Sequence, residues 1–367
     1  MTTIAKRPKI FGTGLIALDL VIGADAESSI QSWAGGTCGN VIAILAYLGW
    51  KAFPIARMNG DPASARVRAD LRRWGVGLDF TGCTPTSHTP IIIQQIRRAR
   101  DGSPTHRFLW SCPRCGQRLP SFKSVTQDAV EAVAPKLKGT AVFFMDRLSR
   151  AALTLAALAS AEGAVVVFEP SGKSDERLFA EALHLAHVIK YSDQRLGAAG
   201  GTMQGDSATL VEVQTLGAEG LRYRHRLGKG ISAWCHLSAI AAPRLIDTCG
   251  SGDWCTAGLV EKVAAEGQVG LRSGGAGAIR NALRYGQALA AWNCGFEGAR
   301  GGMYAVEQNA FGHQIEALLN GRSNLSPVEP KVMLGLSVAC PACPPDEPNA
   351  VPNSRRASQF KTKAFAA

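Results

Sequence analysis

The 367-residue chain contains no apolar stretch approaching the roughly 20 residues that a membrane span needs. Its nearest approach, Ala151 to Phe168, is divided by Glu162-Gly163 into what reads as a helix followed by a strand. No run of like charge stands out either. The basic residues behind the formal charge of +11 are scattered, as in Arg66, Arg68, Arg72 and Arg73, so they read as a solvated surface rather than a nucleic-acid arm. There is no internal repeat. A Walker site is missing too: Gly172-Lys173-Ser174 follows an apolar strand, but the position where that motif requires its first glycine is Val167. Ten cysteines in a chain of this length do not make a disulfide scaffold. These absences point to a cytoplasmic protein with neither membrane nor nucleic acid as its expected partner. The positive charge suits acidic small molecules such as nucleotides and sugar phosphates.

What is present is a soluble globular composition, 46% hydrophobic and 19% charged, enough for a sizeable core. Lys6, Arg7 and Lys9 precede the apolar stretch Ile10 to Ile22, and Ala24-Asp25-Ala26 mimics a cleavage site. Asp19 and the glycines Gly12 and Gly14 favour a first core strand over a signal peptide. Gly12-x-Gly14-x-x-Ala17 matches a dinucleotide fingerprint formally, but Leu15 to Val21 reads as a strand where that motif needs a helix.

One stretch organises the rest: Asp247-Thr248-Cys249-Gly250-Ser251-Gly252-Asp253, running into Trp254 to Val260. Glycines present bare N–H groups, and apolar residues at Ala257, Val260 and Ala264 have helical spacing. A glycine turn at a helix N-terminus attracts phosphate, and a carboxylate beside it can take a proton from an attacking hydroxyl. The plainer reading is a capped helix whose Asp253 serves only the turn. A second glycine turn, Ala34-Gly35-Gly36-Thr37-Cys38-Gly39-Asn40, feeds the apolar helix Val41 to Gly49. From Ser124 onward helices and strands alternate, which means a parallel sheet with helices on both faces. Thr89 to Ile96 and Arg107 to Trp110 pair as exposed strands around the turn Asp101-Gly102-Ser103-Pro104.

These two glycine motifs, in this order, resemble the two signatures of the ribokinase-like (PfkB) carbohydrate kinases over roughly Lys9 to Val306. The resemblance implies a three-layer α/β/α sandwich over residues 1–320, with a small β lid from about 23–32 and 89–122. A Pro-rich, largely disordered tail over 321–367 would follow. It also implies ATP-dependent phosphorylation of a hydroxyl on a sugar or sugar-like molecule. Asp253 would be the general base, and Gly250, Ser251 and Gly252 the anion hole. Asp19, Gly35, Gly36 and Asn40 would bind the sugar. Gly217 and Gly220 would form a turn at the ATP site, with Asp247 and Thr248 shaping the loop. Mg²⁺, a monovalent cation near that loop and a homodimer through the lid belong to the same picture. One departure stands out. Where the family carries Asn-x-x-Glu, with the glutamate organising Mg²⁺, this chain reads Ser192-Asp193-Gln194-Arg195, so that carboxylate is missing unless Asp193 substitutes from a shifted position. That leaves a catalytically weak sugar- or nucleotide-binding sensor as the alternative.

Two Cys-Pro-x-Cys pairs lie outside that pattern, Cys112 with Cys115 and Cys340 with Cys343. Each supplies half of a tetrahedral Zn²⁺ site, so a shared structural zinc would tie the tail to the lid. The alternatives are unrelated surface cysteines or, with the positive charge, a nucleic-acid-binding zinc ribbon.

Overall fold

A computed structural model of the protein describes residues 7–24, 30–84, 86–113, 115–172, 175–196, 203 and 207–322. Its strands are β1 (Lys9–Thr13), β2 (Ala17–Ile22), β3 (Gln31–Gly35), β4 (Lys51–Met58), β5 (Thr81–Cys83), β6 (Ile91–Arg98) and β7 (Pro104–Leu109). There follow β8 (Val142–Met145), β9 (Val165–Phe168), β10 (Val188–Ser192), β11 (Val211–Thr215), β12 (Leu221–His225) and β13 (Cys235–Leu237). One sheet has the order β13-β12-β11-β10-β9-β8-β1-β4-β5, and a second, smaller one has the order β3-β2-β6-β7. In the large sheet the pairs from β5 through β11 are parallel, and β12 and β13 add antiparallel pairs at the edge.

The central strands are continuous apolar runs, such as Val142-Phe143-Phe144-Met145 and Val165-Val166-Val167-Phe168, buried along their whole length. Such runs belong to a sheet covered on both faces. Neighbouring residues divide between two cores accordingly. Ile10, Phe144, Val165 and Val167 pack in one, while Phe11, Phe143, Val166 and Phe168 pack in the other. Helices Thr37–Tyr47, Ser251–Val263 and Gly275–Asn293 cover the first face, and Arg150–Ala161 and Glu176–Leu185 the second. This is the expected α/β sandwich. Short side chains set where the helices start: Asp61 accepts from Ser64 N–H at 2.6 Å ahead of Pro62, and Ser149 accepts from Ala152 N–H at 3.1 Å.

The lid differs from the expectation in where it begins. The run after Gly14 is not a continuation of the core strand. β1 ends at Thr13, and Ala17–Ile22 is already the lid's central strand. Ala34 and Gly35 likewise end β3 rather than standing in a turn. Glycine at 14, with its φ of 146°, lets the chain leave one sheet and enter the other within a few residues. Part of the expected lid segment, 25–29, lies outside the described residues, as do Cys340 and Cys343 in the expected tail. No helix among the described residues is long and apolar enough to cross a membrane.

Candidate active site

The organising stretch folds as a glycine-turned helix start. Gly250 is the residue before helix Ser251–Val263, with φ 76°. A Cβ there would fall 2.3 Å from the carbonyl oxygen of Ala299, so no other residue fits. Asp253 lies in the first helical turn and is buried. The amide Nδ2 of Asn40 donates to its Oδ2 at 2.7 Å. Asn40 comes from helix Thr37–Tyr47, which starts directly after β3 at Gly36 (φ 78°). Two glycine turns far apart in sequence thus converge on one carboxylate.

Below the turn lies a buried charge pair. Lys190 Nζ, on β10, donates to Glu169 Oε1, just after β9, at 2.8 Å, and Thr256 Oγ1 donates to Glu169 Oε2 at 2.5 Å. A Cβ on Gly252 would lie 3.5 Å from Lys190 Nζ, so this cation sits directly beneath the turn. Burial pushes Asp253 up to about 8, and the negative charge of Glu169 pushes the same way. The Asn40 hydrogen bond, Lys190 and Arg195 only partly oppose this. Burial works against a charged Lys190, but Glu169, Cys255 and Asp253 outweigh it and hold its pKa above the ordinary lysine value. Neither Glu169 nor Lys190 was singled out as a site residue from sequence. The signal was a charged residue ending one apolar strand and another within the next.

The lid meets this turn with one face. Register pairs Asp19 with Trp33 and with Ile92, Val21 with Gln94, and Gln94 with Phe108, so these side chains lie on the same side of the small sheet. Gln94 Nε2 donates to Asp247 Oδ2 at 2.6 Å, which shows that this face is turned to the signature loop. The opposite face, with Leu18, Leu20, Ile91 and Ile93, joins the apolar core, to which Val21 and Trp33 of the first face also belong. Asp19 packs into the space that a side chain on Gly35 would fill, since a Cβ there would meet its Oδ2 at 1.8 Å. Burial raises Asp19 to about 7, against the Gly36 N–H bond and the charge of Arg300. Among the described residues Asp19 Oδ1, Gln94 Oε1 and Trp33 Nε1 are buried with no hydrogen-bond partner.

Other expected residues are placed differently. Asp247 is occupied in tying elements together. Its Oδ1 accepts from Cys249 N–H at 3.0 Å and lies 4.0 Å from His106 Nδ1, while its Oδ2 also accepts from Gly298 N–H at 2.9 Å. It holds the lid and the loop rather than turning an oxygen outward. Thr248 is in the same loop, its carbonyl accepting from Ser251 N–H at 3.3 Å. Gly217 (φ 59°) and Gly220 (φ 104°) bound the tight turn between β11 and β12, closed by Leu216 N–H to Gly220 O at 2.8 Å. Cys112 and Cys115 sit on one turn, with Gly116 N–H donating to Cys112 O at 2.8 Å, and their expected partners lie outside the described residues.

The Mg²⁺ implied by the resemblance finds no cage here. Glu169 is engaged by Lys190 and Thr256, Asp253 by Asn40, and Asp146 by Leu15 N–H and Arg147. Among the described residues no group of three or more His, Cys, Asp or Glu is arranged to hold a metal ion. The position of the family glutamate is Arg195, in the short helix Asp193–Leu196. Mg²⁺ commonly reaches such sites bound to substrate phosphates.

A glycine-turned helix start, a buried carboxylate and a small sheet with unpartnered polar atoms thus come together at one place. A profile described as pfkB family carbohydrate kinase matches residues 11–304, so the chain belongs to that family and is a carbohydrate kinase. It is 25% identical over 311 residues to the ATP-dependent ribose-1-phosphate kinase of Halopiger xanaduensis, covering 81% of this chain and 93% of that one. The fold is similar to that of fructokinase with bound ATP from Xylella fastidiosa (TM-score 0.63, 18% identity, 86% of this chain and 99% of that one). It is also similar to that of Arabidopsis thaliana ribokinase complexed with ribose and ATP (TM-score 0.59, 16% identity, 86% and 99%).

Proposed function

We propose that the protein transfers the γ-phosphoryl group of ATP to a hydroxyl of a sugar or sugar-like substrate, with Asp253 as general base. The observation that carries this reading is the buried Asp253 carboxylate, held by Asn40 at 2.7 Å in the first turn of a helix opened by Gly250. The substrate hydroxyl gives its proton to Asp253 as its oxygen attacks phosphorus. The N–H groups from Gly250 to Gly252 and the helix start receive the charge of the transferring group. Such a transfer needs positioning and charge stabilisation more than covalent help from the protein. Lys190 beneath the turn adds a fixed positive charge next to that position. On the lid, Asp19 Oδ1 and Gln94 Oε1 accept from substrate hydroxyls. Closure keeps water, a competing acceptor, away from ATP.

Arg195 at the position of the family glutamate favours a second reading, a weakly catalytic sensor. One experiment tests both: ADP release from ATP and Mg²⁺ against sugars, nucleosides and sugar phosphates, ribose 1-phosphate among them, beside Asp253→Asn. Substrate-dependent turnover that the variant loses supports the kinase. Saturable ATP and sugar binding with no turnover across the panel supports the sensor.

A further inference from the structure

A buried cation stands behind the proposed base, in a segment neither signature covers. Arg300, 1% exposed, follows helix Gly275–Asn293 in a loop held from several sides. Asn293 Nδ2 donates to Ala299 O at 3.1 Å, Trp254 Nε1 donates to the same oxygen at 3.0 Å, and Gly298 N–H donates to Asp247. The guanidinium makes three kinds of contact. Nη2 donates to Asp70 Oδ2 at 2.9 Å and also to the Ala34 carbonyl, and Nε donates to Asn40 Oδ1 at 3.1 Å. Asp70 is itself fixed by Ala34 N–H at 2.9 Å and Tyr304 Oη at 2.8 Å, and Tyr304 stacks on Trp33 with ring centroids 4.5 Å apart.

A guanidinium carries only donors, so the Asn40 atom facing it must be the carbonyl oxygen. The opposite end of the amide, its NH₂, is then the end that faces Asp253. We propose that Arg300 is a positioning residue: it locks the Asn40 amide in the one orientation that donates a hydrogen bond to the base. This rests on the reading of Asp253 as base. Turned over, Asn40 would present its oxygen to Asp253, a contact that only a protonated carboxyl can satisfy. The lock therefore favours the proton-accepting form against the burial and the Glu169 charge that oppose it. Stability alone does not account for the arrangement, because a fully buried ion pair such as Arg300 with Asp70 is commonly no better than an apolar pair of similar volume.

The test uses the double variant Arg300→Met/Asp70→Leu, which leaves no buried charge unpaired, and Arg300→Lys, whose single ammonium cannot hold both Asp70 and Asn40. Two readouts are taken on the full chain. The first is the titration of the Asp253 carboxyl carbon by ¹³C NMR without substrate, assigned by its loss in Asp253→Asn. Besides Asn40, the groups facing Asp253 are Glu169 after β9, Lys190 on β10, Arg195, and the thiols of Cys38 and Cys249, and all are unchanged in these variants. The midpoint is expected to rise by roughly one pH unit in either variant, since a hydrogen bond to the carboxylate is lost. The second is a kinetic cycle with Asn40→Ala. Kcat is expected to fall about 10–100-fold, and the same replacement made on Asn40→Ala is expected to add little. An unmoved Asp253 titration in a folded variant, or a full further loss of kcat in the Asn40→Ala background, overturns the proposal. Absence of turnover in the unmodified protein overturns the kinase reading instead, and the NMR titration still decides the role of Arg300.

Discussion

The surroundings of Asp253 and the face of the small sheet bury polar groups differently. Around Asp253 most of them pair: Asn40 takes Arg300 on one side and offers Asp253 its other, and Glu169 has Lys190 and Thr256, while Arg300 Nη1 is left buried without a partner among the described residues. On the lid face, Asp19, Trp33 and Gln94 each keep a buried atom without a partner among the described residues. A buried polar atom left unpaired costs stability, so it persists where a ligand completes it. On the proposed reading, chemistry is built into the surroundings of Asp253 and recognition is left to the lid face.

If that division holds, breaking the surroundings of Asp253 abolishes the reaction and breaking the lid alters which molecule reacts. The largest effect is expected from Asp253→Asn: a loss of kcat of about 10²–10⁴-fold with ATP affinity retained, checked by steady-state kinetics and nucleotide titration. Next comes Asp19→Ala, which removes a substrate acceptor. Its expected outcome is a sugar KM raised about 10–100-fold with the ATP KM within about twofold, and equal loss on both axes would erase the distinction between the regions.

The pH profile separates the regions through the base. Asp253 is raised to about 8, and only its deprotonated form accepts the proton. The ratio kcat/KM is therefore expected to climb about tenfold per pH unit just below 8 and to level above it. Stability has the opposite sign. A carboxyl raised in the folded state binds its proton more tightly there than in the unfolded chain. That contribution is complete below the ordinary carboxylate range and is lost as pH rises from about 4 through about 8. Thermal melts are expected to show Asp253→Asn gaining on the unmodified protein by a few degrees over that window. The smallest effect belongs to Gln94→Leu, which cuts one tie between lid and Asp247: a change of about two- to fivefold in sugar KM, with kcat nearly constant.

Much of this division could be read from the chain. The glycine runs around Gly36 and Gly250 announce themselves, and at those two positions the positive φ demands that residue type. Alternating helices and Val-rich strands announce the sheet. The lid boundary was not visible, since Leu15 to Val21 is apolar enough for either sheet and only the pairing of Asp19 with Trp33 and Ile92 assigns it. Arg300, Asp70 and Glu169 were hidden for a different reason. A buried charge is recognised by its partner, and their partners lie 230 residues apart for Arg300 with Asp70 and 21 apart for Glu169 with Lys190. Asp247 showed its loop role in sequence but not its hold on the lid, because Gln94 is 153 residues away.

β3 runs into helix Thr37–Tyr47 through Gly36 alone, with no loop between them. The sheet proposed to touch the sugar is therefore coupled to the helix that carries Asn40 with almost no slack in the covalent chain. For inhibitor design this means that a compound wedged under the lid beside Trp33 need not reach the phosphate turn to disable it. Displacing β3 is expected to drag Asn40 off Asp253, so such a compound would slow turnover without competing for the nucleotide.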